Sequence, residues 1–299
     1  MNNIIKNTPL AISGTLLAIL SLGNLLQLTQ IKIITLLLGL LVITILLLKL
    51  IKYPEILKNE LENPIVLSTS GTFPMALMVL STYINNINTI ATQIIWITAV
   101  IMHMILIIYY TYYFIIKDFN IENYYGSLWV VYIGFTMGAV TGGALNYDFS
   151  WIFVIFGFAV MIPTVTLVTY RYIKYPVKIG ANKPLICIYT AIFNILTVGY
   201  FHTFNNINTT FITIIFIIAC ALYIFSLYKL IQYVQLPFYP SYSAFTFPFV
   251  ISAIATTKIL TIYPDNIIIS ILLLTQTIIA VIMVCYVSYQ YLINIIFNK

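Results

Sequence analysis

The sequence contains very little charge. Only 7% of its 299 residues are Asp, Glu, Lys or Arg, whereas 62% are hydrophobic. A soluble domain carries about 25% charged residues, so this composition excludes a soluble globular protein. Several apolar runs exceed the roughly 20 residues that are needed to span a hydrocarbon core. The chain is therefore predicted to be an all-α polytopic protein embedded in a lipid bilayer.

Acidic residues are missing from the apolar runs. All seven lie at or near predicted loops: Glu55, Glu60, Glu62, Asp118, Glu122, Asp148 and Asp265. Because intramembrane charges usually mark proton relays or ion sites, a carrier driven through a buried carboxylate is disfavoured. Paired acids for a magnesium-dependent transferase, a Ser–His–acid grouping and nucleotide-binding motifs are also absent from the sequence. We therefore expect no enzyme activity, no metal and no cofactor.

Cysteine and histidine are scarce. Cys187, Cys220 and Cys285 lie in separate apolar runs, without the spacing of a disulfide framework or a metal site. His103 is predicted in the middle of helix 4 and His202 at the outer end of helix 7. His103 is interpreted either as a titrating gate or ligand or, by preference, as a neutral histidine hydrogen-bonded at a helix contact.

Polar breaks divide the chain into ten predicted membrane-spanning helices. No room remains for a soluble domain, so residues 1–299 are predicted to form a single transmembrane domain. The first apolar run, Leu10 to Leu26, is longer than the apolar region of a typical signal peptide and is followed by no cleavage site, so it is interpreted as a retained helix. The predicted helices are 8–27, 31–51, 64–85, 90–116, 124–145, 149–170, 184–204, 207–233, 241–261 and 267–296.

Lysine and arginine are distributed unequally between the two sides of the membrane. The loops after odd helices hold only Lys32 and Lys258. The termini and the loops after even helices hold eleven basic residues: Lys6, Lys49, Lys52, Lys58, Lys117, Arg171, Lys174, Lys178, Lys183, Lys229 and Lys299. Positive loops remain in the cytoplasm, so both termini are predicted to be cytoplasmic, at the cell membrane. The +6 net charge is thus a topology signal, and nucleic acid is not an expected partner.

Short internal repeats link helices of the same parity. IKYP ends helix 2 at 51–54 and helix 6 at 173–176, while TFP occurs in helix 3 at 72–74 and in helix 9 at 246–248. SGT occurs in helices 1 and 3, at 13–15 and 70–72. The predicted repeating unit is a two-helix hairpin that is used five times.

Glycine is concentrated in the odd helices, which hold nine of the twelve glycines. Small residues allow backbones to approach closely in a membrane, so we predict an inner ring of odd helices and a lipid-facing outer ring of even helices. Glycine alone does not separate a pore from plain helix packing. The candidate pore-lining residues on odd helices are Ser13, Gly14, Thr15, Ser70, Thr72, Thr136, Gly138, Thr141, Thr190, Ser243 and Thr246.

Each of these hydroxyl groups has two interpretations. It lines a wet path, or it bonds back to the backbone of its own helix, as serine and threonine often do in membranes. A passage without carboxylates does not repel anions, and lysines at its cytoplasmic mouth raise the local anion concentration. Small anions are therefore ranked above cations as the transported species.

Four motifs carry a resemblance to a known family. They are aromatic-Thr-Phe-Pro at Phe245–Pro248, the KYPE junction at Lys52–Glu55, the start of helix 3 at Pro64, and the LGNLL end of helix 1 at Leu22–Leu26. With these motifs the chain resembles the tellurite-resistance and C4-dicarboxylate transporter family, which includes the slow anion channels of plant guard cells. Length, helix number and orientation agree over nearly the whole chain.

This resemblance implies five hairpins around a pseudo-fivefold axis, a central anion pore in each protomer and a homotrimer. It implies that the pore gate is Phe247, with Phe73 as a second candidate, and that Pro248 and Pro74 kink their helices. On a continuous helix Phe247 points about 160° away from both Phe245 and Phe249, toward the hydroxyl-bearing side. Fewer than ten residues precede helix 1, so the kinase-regulated tails of the plant channels are not expected.

Three functions remain open from the sequence. The first is a passive anion channel or facilitator gated by Phe247. The second is a secondary transporter of C4-dicarboxylates, sulfite or a tellurite-type oxyanion in the same fold. The third is a ten-helix drug or metabolite transporter built from two inverted halves, although that arrangement pairs helix 1 with helix 6, whereas IKYP pairs helix 2 with helix 6.

Overall fold

The computed structural model describes residues 2–297, so Lys299, which contributes to the charge count above, lies outside the described residues. Within this part of the chain, nine helices are long and apolar enough to cross a membrane, and a shorter apolar helix precedes them. We number these helices as spans 1–10: Ile12–Leu26, Thr29–Lys52, Pro64–Ile84, Thr89–Lys117, Ser127–Ala144, Asp148–Lys174, Gly180–Thr203, Thr209–Tyr233, Pro240–Leu260 and Ile267–Ile296.

The span ends agree with the predicted ranges to within a few residues, with three larger differences. Span 1 begins at Ile12 rather than at residue 8, because Pro9 precedes it. Span 6 continues to Lys174, four residues beyond its predicted end, and span 7 begins at Gly180, four residues before its predicted start. Two segments predicted as loops contain short helices, Asn2–Asn7 and Pro54–Leu61.

Asparagine residues begin several of the spans. The side-chain oxygen of Asn63 accepts from the backbone N–H of Ile65 at 2.9 Å, and Pro64 occupies the first helical position. Asn88 and Asn208 cap spans 4 and 8 in the same way. Such caps satisfy the free N–H groups of a first turn, and proline is well tolerated there. The asparagine caps therefore determine where spans 3, 4 and 8 begin.

Odd and even spans differ strongly in burial. The most apolar windows of spans 3, 5, 7 and 9 are 67–78% buried, whereas those of spans 2, 4, 6, 8 and 10 are 22–33% buried. The exposed side chains of the even spans are mainly isoleucine and leucine. The predicted separation into inner odd helices and outer even helices is therefore present in the structure.

The contacts between spans follow a regular order. Each even span packs against the odd span that precedes it in the chain. Among the odd spans, span 1 contacts span 3, span 3 contacts span 5, span 5 contacts span 7, span 7 contacts span 9, and span 9 returns to span 1. These contacts close a ring of five odd spans, and the even spans lie outside it.

Pro9 and Asn294 line one cavity, so both ends of the described chain lie on the same face of the bundle, here called the terminal face. Two buried cations lie close to it. Lys49 of span 2 donates to the carbonyl of Thr8 at 2.7 Å and to Glu60 at 2.5 Å. Arg171 of span 6 donates to the carbonyl of Glu122 at 3.2 and 3.3 Å. Each cation ties the end of an even span to the segment that precedes its odd partner.

Span 10 is tied to the start of its odd partner, span 9, through the phenol of a tyrosine. The hydroxyl of Tyr291 donates to the carbonyl of Pro240, the first residue of span 9. Arg171 also packs 3.8 Å from the ring centroid of Tyr125, which adds a cation–π contact to its hydrogen bonds. Three of the five hairpins are thus closed by polar contacts at the terminal face.

Candidate functional site

The odd spans are broken helices. In span 9 a 3-10 helix, Pro240–Phe245, meets the α-helix Phe247–Leu260 at Thr246, whose φ and ψ are −109° and −87°. Pro248 lies in the first turn of the α-helix, where it gives up no helical hydrogen bond. The proline therefore stands at the start of a second helix, whereas the sequence analysis assumed one continuous helix bent at that point.

Other odd spans contain comparable interruptions. Span 3 is interrupted at Gly71, between Pro64–Ser70 and Thr72–Ile84, and Pro74 is the third residue of the second piece. A 3-10 turn interrupts span 5 at Ile133–Thr136, and a 3-10 helix, Gly180–Ile188, opens span 7. Broken helices are tolerated within a membrane when surrounding protein or a cavity satisfies the backbone, and these breaks lie inside the ring.

A central cavity lies inside the ring, in the half nearer the terminal face. Its volume is about 50 Å³, and every odd span contributes to it. Its wall is mostly aliphatic and aromatic, and the hydroxyls of two lining residues, Thr69 and Thr72, donate to backbone carbonyls of their own span. The lining residues are Gly14, Thr69, Thr72, Met75, Trp129, Val130, Ile133, Gly134, Leu185, Ile188, Ala191, Ile192, Ile195, Ser243, Ala244, Phe247 and Pro248.

A second cavity, here called the vestibule, lies in the half nearer the opposite face. Its volume is about 530 Å³, and many of its lining side chains are polar. Its basic residues are Lys32, Lys258 and His202, and its amides come from Asn24, Gln27, Asn85 and Asn86. The remaining lining residues are Ser21, Leu25, Val79, Thr82, Met137, Val140, Thr141, Ala144, Leu145, Val198, Phe247, Ile251, Ile254 and Thr257.

Phe247 lies between the central cavity and the vestibule. Among the described residues it alone lines both, and only 5% of its surface is exposed. The neighbouring phenylalanines pack elsewhere, since the ring of Phe245 lies 4.9 Å from that of Tyr242 and the ring of Phe249 lies 5.6 Å from that of Tyr223. One aromatic side chain therefore stands where the two cavities meet.

The predicted site residues fall into three groups. Gly14, Thr72, Ser243, Phe247 and Pro248 line the central cavity. Ser13, Ser70, Phe73 and Pro74 line a different cavity, which they share with residues of spans 2 and 4 and of the helix Pro54–Leu61. Phe73 thus faces the outer helices, and it lines neither the central cavity nor the vestibule.

The third group lies within helix contacts. A methyl group at Gly138 would collide with the ring of Phe153 at 2.5 Å, so this glycine allows spans 5 and 6 to approach each other. The hydroxyl of Thr246 donates to the carbonyl of Ser243 at 2.6 Å. Thr15, Thr136 and Thr190 are also buried away from both cavities, and the hydroxyl of Thr190 lies 3.3 Å from that of Ser252.

Thr141, the remaining hydroxyl candidate, lines the vestibule, where its hydroxyl donates to the carbonyl of Met137 at 2.8 Å.

The structure agrees with the second interpretation of His103, a histidine hydrogen-bonded at a helix contact. Its Nε2 lies 2.9 Å from the carbonyl oxygen of Val131 on span 5, and the ring is buried between the helices. Within residues 2–297 no three His, Cys, Asp or Glu side chains are grouped as metal ligands would be.

Two features of the site were missed in the sequence. The wall of the central cavity is built largely from isoleucine, leucine, valine and alanine, which sequence alone does not separate from lipid-facing residues. The basic residues of the vestibule did leave a signal, because Lys32 and Lys258 are the two exceptions in the lysine distribution.

A ring of broken helices around two internal cavities, inside a shell of apolar helices, is typical of a membrane channel or transporter. The model of the SLAC1 family, described as voltage-dependent anion channel, matches residues 7–292. The chain therefore belongs to the SLAC1 family, which confirms the resemblance inferred from the helix 9 motif. A search of curated proteins gave no match.

Membership in this family indicates an integral membrane protein that moves anions as a channel or transporter. The family's members are channels or transporters rather than enzymes, in agreement with the coarse expectation from the sequence. The alternative of a drug or metabolite transporter with two inverted halves is replaced by this assignment.

Proposed function

We propose that the protein is an anion channel or facilitator whose path runs from the vestibule through the central cavity, with Phe247 as the gate. The observation that carries the proposal is that Phe247 alone lines both cavities. Rotation of one side chain about its χ angles opens or closes such a contact without any movement of the helices. Phe73 has no part in the proposed gate, because it faces a peripheral cavity.

The proposed selectivity for anions rests on charge. No Asp or Glu lines the central cavity or the vestibule in the described part of the chain, whereas two lysines line the vestibule. A cleft lined by charges of one sign raises the local concentration of ions of the opposite sign. A cation meets only repulsion from these side chains, and an anion meets attraction.

The central cavity adds a barrier of a different kind. Its aliphatic wall offers few hydrogen bonds, and hydrophobic constrictions can close a pore by excluding water. We propose that anions cross this cavity only when Phe247 moves aside and water enters. The hydroxyls of Thr69 and Thr72 do not lower this barrier, because each already donates to a backbone carbonyl of its own span.

The proposed architecture is five helical hairpins with pseudo-fivefold symmetry in one transmembrane domain covering residues 1–299. The closed ring of odd spans and the three polar closures at the terminal face support it. We further propose a homotrimer in the cell membrane with both termini in the cytoplasm, on the basis of the family resemblance and the lysine distribution. Native mass spectrometry and terminal-tag labelling in intact cells test these two assignments.

The gate is tested with Phe247→Ala, and Phe245→Ala serves as the matched control. Both residues are buried phenylalanines of the same segment, but Phe245 lines neither cavity. Expressed in oocytes at equal surface abundance, F247A is expected to raise the anion current at least about tenfold, which corresponds to a barrier lower by about 1.4 kcal/mol. F245A is expected to leave it at the wild-type level. Equal currents in all three proteins contradict the gate.

The alternative of a coupled transporter for C4-dicarboxylates, sulfite or tellurite-type oxyanions is separated from the channel by flux in proteoliposomes. A channel gives a flux that follows the electrochemical gradient of the anion and rises with its concentration. A coupled transporter gives a flux that saturates at low concentration and responds to a proton gradient.

A further inference from the structure

The two lysines that break the topology rule are found together in one cavity. Lys32 begins span 2 and Lys258 ends span 9, and both line the vestibule. Among residues 2–297, the other lysines and the arginine lie in segments at the terminal face. Two positive charges on the side of a membrane protein that normally avoids them call for a local explanation.

Helix electrostatics explains only one of these lysines. Lys258 lies in the last turn of its helix, where the partial negative charge of the helix end favours a cation. Lys32 lies in the first turn of span 2, where the helix dipole opposes a cation. Its ammonium group is 5.9 Å from the ring centroid of Tyr83, a weak contact for an exposed lysine. Lys32 is therefore placed against the local field of its own helix.

Neither lysine is neutralised by a carboxylate. Within residues 2–297 the single ion pair joins Lys49 to Glu60, and no Asp or Glu lines the vestibule. Lys258 is half-buried, and a partly buried charge without a counter-ion is costly. Lys32 is exposed, at the edge of the same cavity. The positive charge of the vestibule is thus unbalanced by protein groups.

Uncharged donors surround the lysines. Asn24 donates one N–H to Thr82 at 3.1 Å, which leaves the other N–H of its amide for a ligand. The hydroxyl of Ser21, which lines the vestibule, is buried and has no hydrogen-bond partner. His202 donates its Nδ1–H to the carbonyl of Val140, at 2.5 Å, so a neutral His202 has no further N–H for a ligand. Donors of several kinds around an unbalanced positive charge match the oxygens of a small oxyanion.

We propose that the vestibule is a binding site for a small oxyanion, with Lys258 as its principal cation and Lys32 as a second cation at its edge. The site rests on the proposed function, because Phe247 forms its floor, but binding there requires no opening of the gate. It holds an anion next to the closed plug and raises the anion concentration where the path begins. Entry from the vestibule side is therefore favoured at low anion concentration.

Binding is tested without transport, on the purified full-length protein in detergent. Nitrate is the probe and gluconate the comparison anion, at constant sodium concentration, and the thermal midpoint Tm is measured. Wild-type protein is expected to gain Tm with nitrate in a saturable manner. Lys258→Gln is expected to raise the apparent nitrate Kd at least about tenfold, and Lys32→Gln by about twofold to fivefold, since an exposed charge is screened more strongly.

Two controls accompany these variants. Lys52→Gln removes an exposed lysine from the terminal face, and it is expected to leave the nitrate response unchanged. Lys258→Arg retains the charge and is expected to retain binding, which separates loss of the site from loss of folding. Equal nitrate responses in wild type, K258Q and K32Q overturn the proposal, and so does an equal loss in K52Q, because net charge then accounts for the effect.

The same variants in the F247A background distinguish this proposal from the gate. If F247A conducts and K258Q lowers its current at low external nitrate but not at high nitrate, both proposals stand. If F247A conducts and K258Q changes nothing, the vestibule site fails and the gate remains. If F247A does not conduct but K258Q abolishes nitrate binding, the gate fails and the vestibule site remains.

Discussion

Basic side chains behave differently in the two halves of the bundle. Close to the terminal face, Lys49 and Arg171 are buried and hydrogen-bonded to backbone carbonyls, and Lys49 also pairs with Glu60. In the vestibule, Lys32 and Lys258 have no carboxylate partner among the described residues. The first pair ties helices together, whereas the second remains free for a ligand. Basic residues therefore stabilise helix packing near the terminal face, whereas in the other half of the bundle they supply positive charge to the vestibule.

The two cavities differ in width and in polarity. The vestibule is wide and polar, and the central cavity is narrow and mostly apolar, with Phe247 between them. In the proposed function, selection by charge and obstruction by an apolar side chain therefore occur at separate places along the path. The predictions that follow alter one half at a time, from the largest expected effect to the smallest.

The largest effect is expected from a carboxylate in the central cavity. Ile192 is buried there, and Ile192→Glu in the F247A background places a negative charge in an apolar wall. Such a charge repels anions with little screening, so the anion current is expected to fall at least about tenfold. Ile192→Gln, which has a similar size and no charge, is expected to retain most of the current. Equal loss in both variants would indicate that side-chain shape, not charge, limits the path.

Next in size is the ion pair at the terminal face. Glu60→Gln leaves the fully buried ammonium of Lys49 without its counter-charge, which is expected to cost about 3 kcal/mol of folding free energy. Tm in detergent is expected to fall by several degrees. Glu62→Gln, which changes an exposed acid two residues away, is the control and leaves Tm unchanged. An E60Q protein as stable as wild type would refute a structural role for this cation.

A smaller loss is expected from Arg171→Lys. The guanidinium reaches the carbonyls of both Glu122 and Tyr175 and packs on the ring of Tyr125. A lysine keeps the charge but not the planar set of donors, so about 1–2 kcal/mol of stability should be lost. Thermal unfolding measures this loss. Unaltered stability would mean that the contribution of this residue comes from its positive charge and not from the planar set of guanidinium donors.

The smallest effect on stability is expected from Lys258→Gln. Because this lysine has no ion-pair partner in the described chain, its removal is expected to change the free energy of unfolding by less than about 0.5 kcal/mol. Tm in gluconate, without the nitrate probe, measures this change. A destabilisation as large as that of E60Q would erase the distinction between the two kinds of basic residue.

Much of the architecture could be predicted from the sequence because glycine content and isoleucine-rich runs report directly on helix packing. The position of Phe247 was predicted from the motif Phe245–Pro248. The lining residues were harder to predict, because the break at Thr246 and the 3-10 segment before it advance the chain by about 120° per residue instead of 100°. A helical wheel drawn through that break therefore assigns faces incorrectly.

The hydroxyl-bearing residues that line the cavities were hard to predict for a second reason. Serine and threonine in membrane helices often donate to a carbonyl three or four residues earlier, as Thr246 does to Ser243. The hydroxyl of such a residue is hydrogen-bonded within its own helix, so its presence in the sequence does not indicate a surface in contact with water. Ser70 likewise donates to Leu67 and lines the peripheral cavity with Phe73. Thr72 donates to Thr69 in the same way, so only the three-dimensional arrangement shows that it lines the central cavity.

The seal at Phe247 is tested most directly by cysteine accessibility on its two sides. Ala191→Cys places a thiol in the central cavity and Thr257→Cys places one in the vestibule, in a background whose three native cysteines are replaced by alanine. A membrane-impermeant thiol reagent is added from the vestibule side. We expect T257C to react in all proteins, and A191C to react only when Phe247 is replaced by alanine. Rapid reaction of A191C with Phe247 in place would contradict the seal.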